Sequence, residues 1–304
     1  MSITEMIKEA IVFPSKDLGP LAIYIVMTII MAFLSFGGFI YAILTDDIVS
    51  TIIGIIISII AIIIELILMG YQIKLIKTGI DNEETAPAFE WKEDCITGIK
   101  YLVVKIVYCI IPALITFIVA LATNVPANIN SLLTEITNSF AASSSESALS
   151  TFATLNSTAN STDYMAAFSS LNSTNGTNAI PAIHVSDAVI NSLVTSLTIT
   201  AIVALIVFLI FAILQFIAEA RLANNGSLGG ALNFIEVFKD IGKIGYGKVI
   251  GTFLLIVIVV AVINLVFGFI VGFIPVFWIF TLILTPYLLF FSKRTAGLLY
   301  SDIA

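Results

Sequence analysis

The chain alternates between six long apolar runs and shorter polar segments. Within each run the apolar residues are continuous instead of recurring at every third or fourth position, which is typical of helices that face lipid on most sides. Each run has about 18 residues or more, the length that an α-helix needs to cross a bilayer. The predicted spans lie at about 21–44, 48–72, 101–122, 192–216, 249–272 and 275–292. The pattern predicts an all-α, polytopic membrane helix bundle that forms a single membrane domain over residues 1–304.

Two polar segments that join neighbouring spans also carry apolar residues at helical spacing. Both are predicted to form amphipathic helices at the cytoplasmic interface of the membrane. The apolar positions are Phe89, Trp91, Ile96 and Ile99 in the first segment, and Phe234, Val237, Phe238, Ile241 and Ile244 in the second. The chain therefore has two similar units of span, interfacial helix and span. They indicate either an internal duplication of the parallel kind or the usual tendency of such loops to carry an interfacial helix.

The N-terminal segment predicts a third amphipathic helix, over residues 2–13. Ser2 and Glu5 have the spacing of a capping box at its beginning, and Pro14 is expected to end it. A helix of this kind beside a span is typical of a segment that lies on the membrane surface.

The distribution of basic residues predicts the orientation of the spans. With the N-terminus in the cytoplasm, all thirteen Lys and Arg residues lie on the cytoplasmic side, except that Lys105 lies just inside the third span. The 115 residues between Lys105 and Arg221 contain no basic residue, and they include a long loop at 123–190. We therefore expect an extracellular loop in a multi-pass protein of the cell (plasma) membrane, with both termini in the cytoplasm.

The predicted extracellular loop is rich in Ser, Thr, Ala and Asn between residues 139 and 178. Four of its asparagines begin an N-x-[ST] sequence, the acceptor for N-linked glycosylation. They are Asn156, Asn160, Asn172 and Asn175. The sequons indicate a glycosylated loop, or they arise by chance from a composition in which Asn, Ser and Thr are frequent.

Composition agrees with a membrane protein and argues against several other classes. Apolar residues make up 59% of the 304 positions, charged residues 11%, and the mean hydropathy is +1.11, whereas soluble domains carry about 25% charged residues. The pI near 4.7 argues against nucleic acid as a partner. His184 is the single histidine. Cys95 and Cys109 would lie about 21 Å apart along a helix, beyond disulfide reach. We expect no metal site, no cofactor and no catalytic residue.

An ionisable residue inside a span is a functional candidate, because a charge in hydrocarbon is costly. Glu65 lies near the cytoplasmic end of the second predicted span, and Lys105 lies just inside the same end of the third. Because antiparallel neighbours would bring the two side chains to similar depth, we predict a Glu65–Lys105 ion pair. It would either lock two helices or bind a substrate or proton. The alternative is that Lys105 extends to the interface and the two side chains make no contact.

Three further sets of residues are candidates for roles in or beside the bundle. Polar or helix-breaking positions in the last two spans are Asn264, Thr281, Thr285 and Pro286. Small residues with the spacing of a close helix contact, within the bundle or between protomers, are Gly268 and Gly272. Basic residues that either contact anionic headgroups or only flank the spans on the cytoplasmic side are Arg221, Lys239, Lys243 and Lys248.

Several short motifs resemble one known family. Residues 10–17 read AIVFPSKD, and Glu90-Trp91 is followed by Gly98-Ile99-Lys100. Further matching positions are Tyr108, Pro112, the segment IGKIGYGK at 241–248, Pro286-Tyr287-Leu288, Arg294, Gly297 and Tyr300. Their order and spacing resemble archaeal and bacterial multi-pass membrane proteins catalogued as domain of unknown function 4013, a family typical of methanogens. The resemblance covers most of the chain except the outside loop. It implies a membrane protein of archaeal type and carries no activity with it.

Three classes of function are compatible with these features. We expect first a non-catalytic membrane scaffold or assembly and interaction protein, which contacts the lipid bilayer and either another membrane protein or further copies of itself. The alternative is a small-solute or ion transporter or channel, which requires a hydrophilic cavity lined by Glu65 and Asn264. A membrane-embedded enzyme ranks last, because the spans hold no cluster of polar residues at one depth.

Overall fold

A computed structural model describes residues 1–44, 48–139 and 185–304. Over these ranges the regular secondary structure is helical, and no strand occurs. The elements are α1 (Ile3–Lys16), α2 (Leu18–Leu44), α3 (Ile48–Ile80), α4 (Trp91–Ala122), α5 (125–139), α6 (Asp187–Asn225), α7 (Leu228–Leu232), α8 (Phe234–Ile244), α9 (Tyr246–Phe273), a 3₁₀ helix (Pro275–Phe280) and α10 (Thr281–Tyr300).

Six helices of the described part of the chain are long and apolar enough to cross a membrane. They are Leu18–Gly37, Ile48–Ile80, Trp91–Ala122, Asp187–Asn225, Tyr246–Phe273 and Pro275–Tyr300. Each corresponds to one predicted span, which confirms an all-α, multi-pass membrane protein. Helices α3 and α6 continue beyond the predicted spans into polar sequence, because their last turns pack against other helices and no longer depend on lipid.

The described residues form two compact units. The first comprises Met1–Pro112 and Phe208–Ala304, and the second comprises Ala113–Val207. In the first unit, α3 packs along α2 and α10, and α1 lies against α10. These packed faces position the buried charged side chains of this unit.

Glycines set the closest helix crossings of the first unit. A Cβ atom at Gly98 of α4 would lie 1.8 Å from the carbonyl oxygen of Leu66 in α3, and Gly70 of α3 meets the α4 backbone just as closely. A Cβ atom at Gly297 of α10 would lie 2.1 Å from the carbonyl oxygen of Ile76 in α3. No side chain fits at such distances, so the backbone of α3 is in direct contact with the backbones of α4 and α10.

The helix contact predicted from Gly268 and Gly272 is not formed within the described part of the chain. No atom of another element lies within 4 Å of a Cβ atom built at either glycine. Small-residue spacing permits a close contact but does not supply a partner helix, and here the partner is missing. A contact between protomers at these positions stays a prediction.

Helix α1 begins as predicted but ends and packs differently. The capping box is confirmed, since the Ser2 hydroxyl accepts a hydrogen bond from the Glu5 N–H at 3.3 Å and the Glu5 carboxylate accepts one from the Ser2 N–H at 2.9 Å. The prediction that Pro14 ends the helix is wrong, because α1 continues to Lys16. Pro14 lies in the last turn, where its missing N–H removes one hydrogen bond only. The buried apolar residues of α1 are Met6, Ala10 and Phe13. This face therefore meets protein, where the sequence predicted a membrane surface.

The two predicted interfacial segments take different forms. The first is not a separate helix, because α4 begins at Trp91 and continues without a break to Ala122. The second forms α8, which is separated from α9 by Gly245 with a φ of 103°. That backbone conformation favours glycine and cannot continue a helix.

Within the second unit, polar side chains connect the end of α4 and the beginning of α5 to the first turns of α6. The Thr123 and Thr200 hydroxyl oxygens lie 2.9 Å apart, and the Asn128 amide donates to the Ser196 hydroxyl at 3.0 Å. Helix α5 belongs to this unit and begins the predicted loop with regular structure. The predicted sequons at Asn156, Asn160, Asn172 and Asn175, together with His184, lie outside the described residues.

Candidate functional site

Buried ion pairs gather at one end of the first unit. There α3 ends at Ile80, α6 ends at Asn225 and α10 ends at Tyr300; we call it the charged end. Among its buried or half-buried basic residues are Lys74, Arg221, Lys293 and Arg294, whose side chains are between 2% and 23% exposed. Each is paired with a carboxylate. Removing charges from water is costly, so such residues need close partners to be tolerated.

The Arg221 guanidinium joins α6 to α8. It donates to the Asp240 carboxylate and to the Gly230 carbonyl oxygen, the latter at 3.1 Å, and lies 3.5 Å from the Glu236 carboxylate. The Tyr300 hydroxyl donates to the same Asp240 oxygen at 2.7 Å. Asp240 is 2% exposed and so connects α6, α8 and α10. A planar guanidinium suits this position because it serves several acceptors at once.

The Lys74 ammonium joins α3 to the beginning of α4. It lies 2.5 Å from Glu90 Oε2 and 3.0 Å from Asp94 Oδ1. Asp94 is fully buried, and its other oxygen accepts a hydrogen bond from the Glu90 N–H at 2.7 Å. Beside this pair, Tyr71 stacks on Phe89 with ring centroids 3.9 Å apart. The hydrogen bond from Lys74 holds the pKa of the Glu90 carboxyl below its ordinary value.

The Lys74 and Arg221 clusters share one sequence pattern. In each, a basic residue on the incoming helix pairs with a Glu and an Asp spaced four residues apart on the outgoing segment. The two segments read EWKED at 90–94 and EVFKD at 236–240. Residues four apart lie on the same face of a helix, so this repeated pattern was a signal for both pairs that our sequence prediction missed.

A third cluster lies on the facing sides of α4, α6 and α10. The Lys293 ammonium lies 2.5 Å from Glu219 Oε2 and donates to the Tyr101 hydroxyl at 2.8 Å. Glu219 Oε1 accepts hydrogen bonds from the Tyr101 hydroxyl and the Gln215 amide, both at 2.9 Å. Lys293, Glu219 and Gln215 line a cavity of about 270 Å³ that Phe253 of α9 also borders. Every polar group of the ion pair therefore has a close partner.

Arg294 ties α1 to α10. Its guanidinium is 1% exposed, donates to the Glu9 carboxylate at 2.6 Å and lies 4.5 Å from the centroid of the Phe13 ring. Glu9 and Phe13 are four residues apart and therefore share a face of α1. The ring adds a cation–π contact. The sequence did not predict this contact, because nothing along the chain placed Arg294 next to the N-terminal helix.

The predicted Glu65–Lys105 ion pair is not formed. Among the described residues, no ion pair with an N···O distance up to 4.0 Å includes either side chain, and the Lys105 ammonium lies 5.2 Å from the centroid of the Tyr101 ring. The prediction of similar depth is wrong. Gly98 of α4 meets Leu66 of α3, so Lys105 lies about six residues, or roughly 9 Å, further from the charged end than Glu65.

Glu65 instead lines a cavity of about 500 Å³ on α2 and α3. The other lining residues are Met31, Ser35, Phe36, Ser58, Ala61 and Ile62. Asn264 is not among them, because its exposed side chain donates to the Val260 carbonyl oxygen of its own helix at 2.8 Å. The single cavity lined by Glu65 and Asn264, which the transporter prediction required, does not occur in the described part of the chain.

The remaining polar positions of the last span do not converge on one site. The Thr281 hydroxyl donates to the Trp278 carbonyl oxygen, Thr285 is exposed, and Pro286 is buried inside α10. Thr281 and Thr285 are four residues apart and share a face of α10, but neither lines a cavity with Glu65.

The four basic residues predicted to contact headgroups all have acidic partners in the chain. Arg221 is held in its cluster, and Lys248 pairs with Asp302. Lys239 and Lys243 are 60% and 62% exposed although they lie 3.0 Å and 3.6 Å from carboxylates of α8. The hydrogen bond from Lys239 also lowers the pKa of Glu236. Headgroup contact stays a prediction, and these two exposed lysines are the members best placed for it.

Comparison with known proteins identifies a family for this chain but no individual relative. The chain matches the model of the family described as "Protein of unknown function (DUF4013)" over residues 53–155 and 164–276, well over half of its length. One matched segment contains the Lys74 cluster, and the other contains the Arg221 cluster. None of the curated proteins and none of the solved structures matches the chain.

Proposed function

The chain belongs to the DUF4013 family of proteins of unknown function, and we propose that it acts as a non-catalytic scaffold for membrane-protein assembly. The observation that carries this proposal is that buried basic residues of the charged end join different helices through ion pairs. Arg294 joins α10 to α1, Arg221 joins α6 to α8, and Lys293 joins α10 to α6 and α4. Groups engaged in this way stabilise a fixed arrangement of helix ends and are poor acids, bases or nucleophiles.

The surface that such a scaffold would present is the outer face of α8. Ile235 is 70% exposed and Phe238 is 51% exposed, and Tyr246 at the beginning of α9 is 52% exposed. Lys239 lies on the same helix and is also exposed. An apolar, aromatic patch next to exposed basic residues is typical of a binding surface. We propose another membrane protein with an acidic, apolar segment as its partner.

Site-specific photocrosslinking in the native membrane tests this proposal. A photoreactive residue in place of Phe238 should capture one protein in stoichiometric amount, whereas the same residue in place of the exposed Lys92 of α4 should not. Phe238→Ser should abolish co-purification of that protein, and Lys92→Ser should leave it unchanged. Crosslinking of Phe238 to lipid alone would reject the scaffold.

A transporter is the second candidate, and the Glu65 cavity is the observation that favours it. Transport predicts a solute or ion flux in proteoliposomes that Glu65→Gln removes and that Glu93→Gln, an exposed position, preserves. If the protein is a scaffold, neither the native protein nor the Glu65→Gln or Glu93→Gln variant should show any flux.

A further inference from the structure

Glu65 places an acidic group in the interior of a membrane span. It lies near the middle of α3, and no Lys or Arg nitrogen of the described residues lies within 4.0 Å of its carboxylate. A carboxylate in hydrocarbon is costly unless a partner of opposite charge or a hydrogen-bond donor meets it. The cavity that it lines, about 500 Å³, falls in the size range of small-molecule pockets, roughly 300–1,000 Å³.

The polar atoms of this cavity are arranged as acceptors. The Ser58 hydroxyl donates its proton to the Gly54 carbonyl oxygen at 2.8 Å, and the Ser35 hydroxyl donates its proton to the Met31 sulfur at 3.7 Å. Both hydroxyl oxygens therefore keep their lone pairs for a ligand. An ionised carboxylate has acceptors only. The three groups together call for a ligand that carries donors and a positive charge.

The rest of the lining is apolar. The apolar residues that line the cavity beside the carboxylate and the two hydroxyls are Met31, Phe36, Ala61 and Ile62. A hydrated metal ion would keep water in contact with this apolar lining, whereas the hydrocarbon part of an organic cation would pack against it. The geometry points to a lipophilic primary ammonium that reaches the cavity from within the bilayer. Its ammonium N–H groups donate to Glu65, the hydroxyl oxygens of Ser35 and Ser58 are further acceptors on the cavity wall, and its apolar body packs on Phe36 and Ile62. This binding depends on neither the scaffold nor the transport function.

Fluorescence binding to the full chain tests the inference. The protein is placed in nanodiscs of phosphatidylcholine, a lipid without a primary amine, and titrated with dansylcadaverine, a primary ammonium on a fluorescent apolar chain. We expect saturable binding above that of empty nanodiscs. Glu65→Gln should weaken it about tenfold or more, because a charge-assisted hydrogen bond is lost. The double variant Ser35→Ala/Ser58→Ala should weaken it about two- to fivefold, and Glu93→Gln should leave it unchanged.

The N-acetylated form of the same probe provides a comparison that needs no variant. It keeps the dansyl group and the chain but lacks the ammonium, so it should show no saturable binding to the native protein. Equal binding of the two probes would overturn the inference, and so would undiminished binding of dansylcadaverine to a correctly folded Glu65→Gln protein. Either result would mean that the cavity accommodates apolar chains without using its carboxylate.

Discussion

The connection from α3 into α4 and the connection from α6 into α9 carry the same charge pattern but fold differently. In both, a basic residue pairs with a Glu and a buried Asp four residues further on, through Lys74 in the first and Arg221 in the second. The first connection leads directly into one continuous helix. The second contains the short α7 and the separate amphipathic α8, and it reaches α9 only through Gly245.

Glycine explains the difference. Gly70 and Gly98 let α4 lie directly on the backbone of α3, so the outgoing helix can begin at the point where it meets the incoming one. Helix α6 contains no glycine, and α8 with the turn at Gly245 connects it to α9 instead. The ion pairs are therefore compatible with two geometries, and close backbone contact decides between them. The shared charge pattern also supports the predicted internal duplication, which stays a prediction.

The largest expected effect comes from breaking the glycine crossing of the first connection. Gly98→Ala should destabilise the protein by about 3 kcal/mol or more, because the new methyl group would overlap a carbonyl oxygen of α3. Thermal unfolding and the yield of monodisperse purified protein measure the effect. Gly268→Ala is the matched control, since no neighbouring element lies within 4 Å there and alanine favours a helix. Equal stability of the two variants would show that the crossing does not govern this connection.

Removing the buried carboxylate of the second connection should have the next largest effect. Asp240→Asn should cost about 2–4 kcal/mol, because Arg221 and Tyr300 lose a shared charged acceptor in a buried position. Glu236→Gln removes the more exposed carboxylate of the same cluster and should cost much less. Chemical or thermal unfolding of the two variants measures the difference. If both variants lose the same stability, burial of Asp240 is not what makes it important.

Replacing the glycine at the turn of the second connection should lower the stability of the protein moderately. Gly245→Ala forces a side chain into a φ of 103° and should cost about 1–3 kcal/mol. Gly247→Ala, two residues later inside α9, should cost nothing or stabilise slightly, since no contact crowds that position. Unfolding temperatures of both variants compare the two sites. A tolerated Gly245→Ala would mean that α8 and α9 can adopt another turn.

The smallest expected effect concerns an exposed pair on α8. Lys239→Ala should lower the unfolding temperature slightly near neutral pH, because Lys239 holds the pKa of Glu236 below its ordinary value. A carboxyl with a lowered folded-state pKa contributes stability above its unfolded-state pKa and loses it as the pH falls through the folded-state pKa. The difference between native protein and variant should therefore shrink as the pH falls below the ordinary glutamate pKa of about 4.3 and vanish once Glu236 is protonated in the folded state. A difference that does not shrink as the pH is lowered would have a cause other than this ion pair.

The sequence alone determined the membrane-spanning helices of this protein, together with α1 and α8. Six continuous apolar runs predicted six membrane-spanning helices, because lipid requires each span to satisfy its own backbone hydrogen bonds. Helical spacing of apolar residues predicted α1 and α8, and the capping box at Ser2 was correct. These features are local, since each depends on residues within a few turns of one another.

Only the tertiary structure decided which faces meet. The spacing of Gly268 and Gly272 predicted a close helix contact that no described part of the chain makes, while Gly70, Gly98 and Gly297 make the close crossings. The register of α3 against α4 separates Glu65 from Lys105, and Arg294 pairs with Glu9 at the other end of the sequence. Periodicity gives the position of a residue along its helix and on one face of it. Which neighbour that face meets depends on how all the helices pack together, and no single segment carries that information.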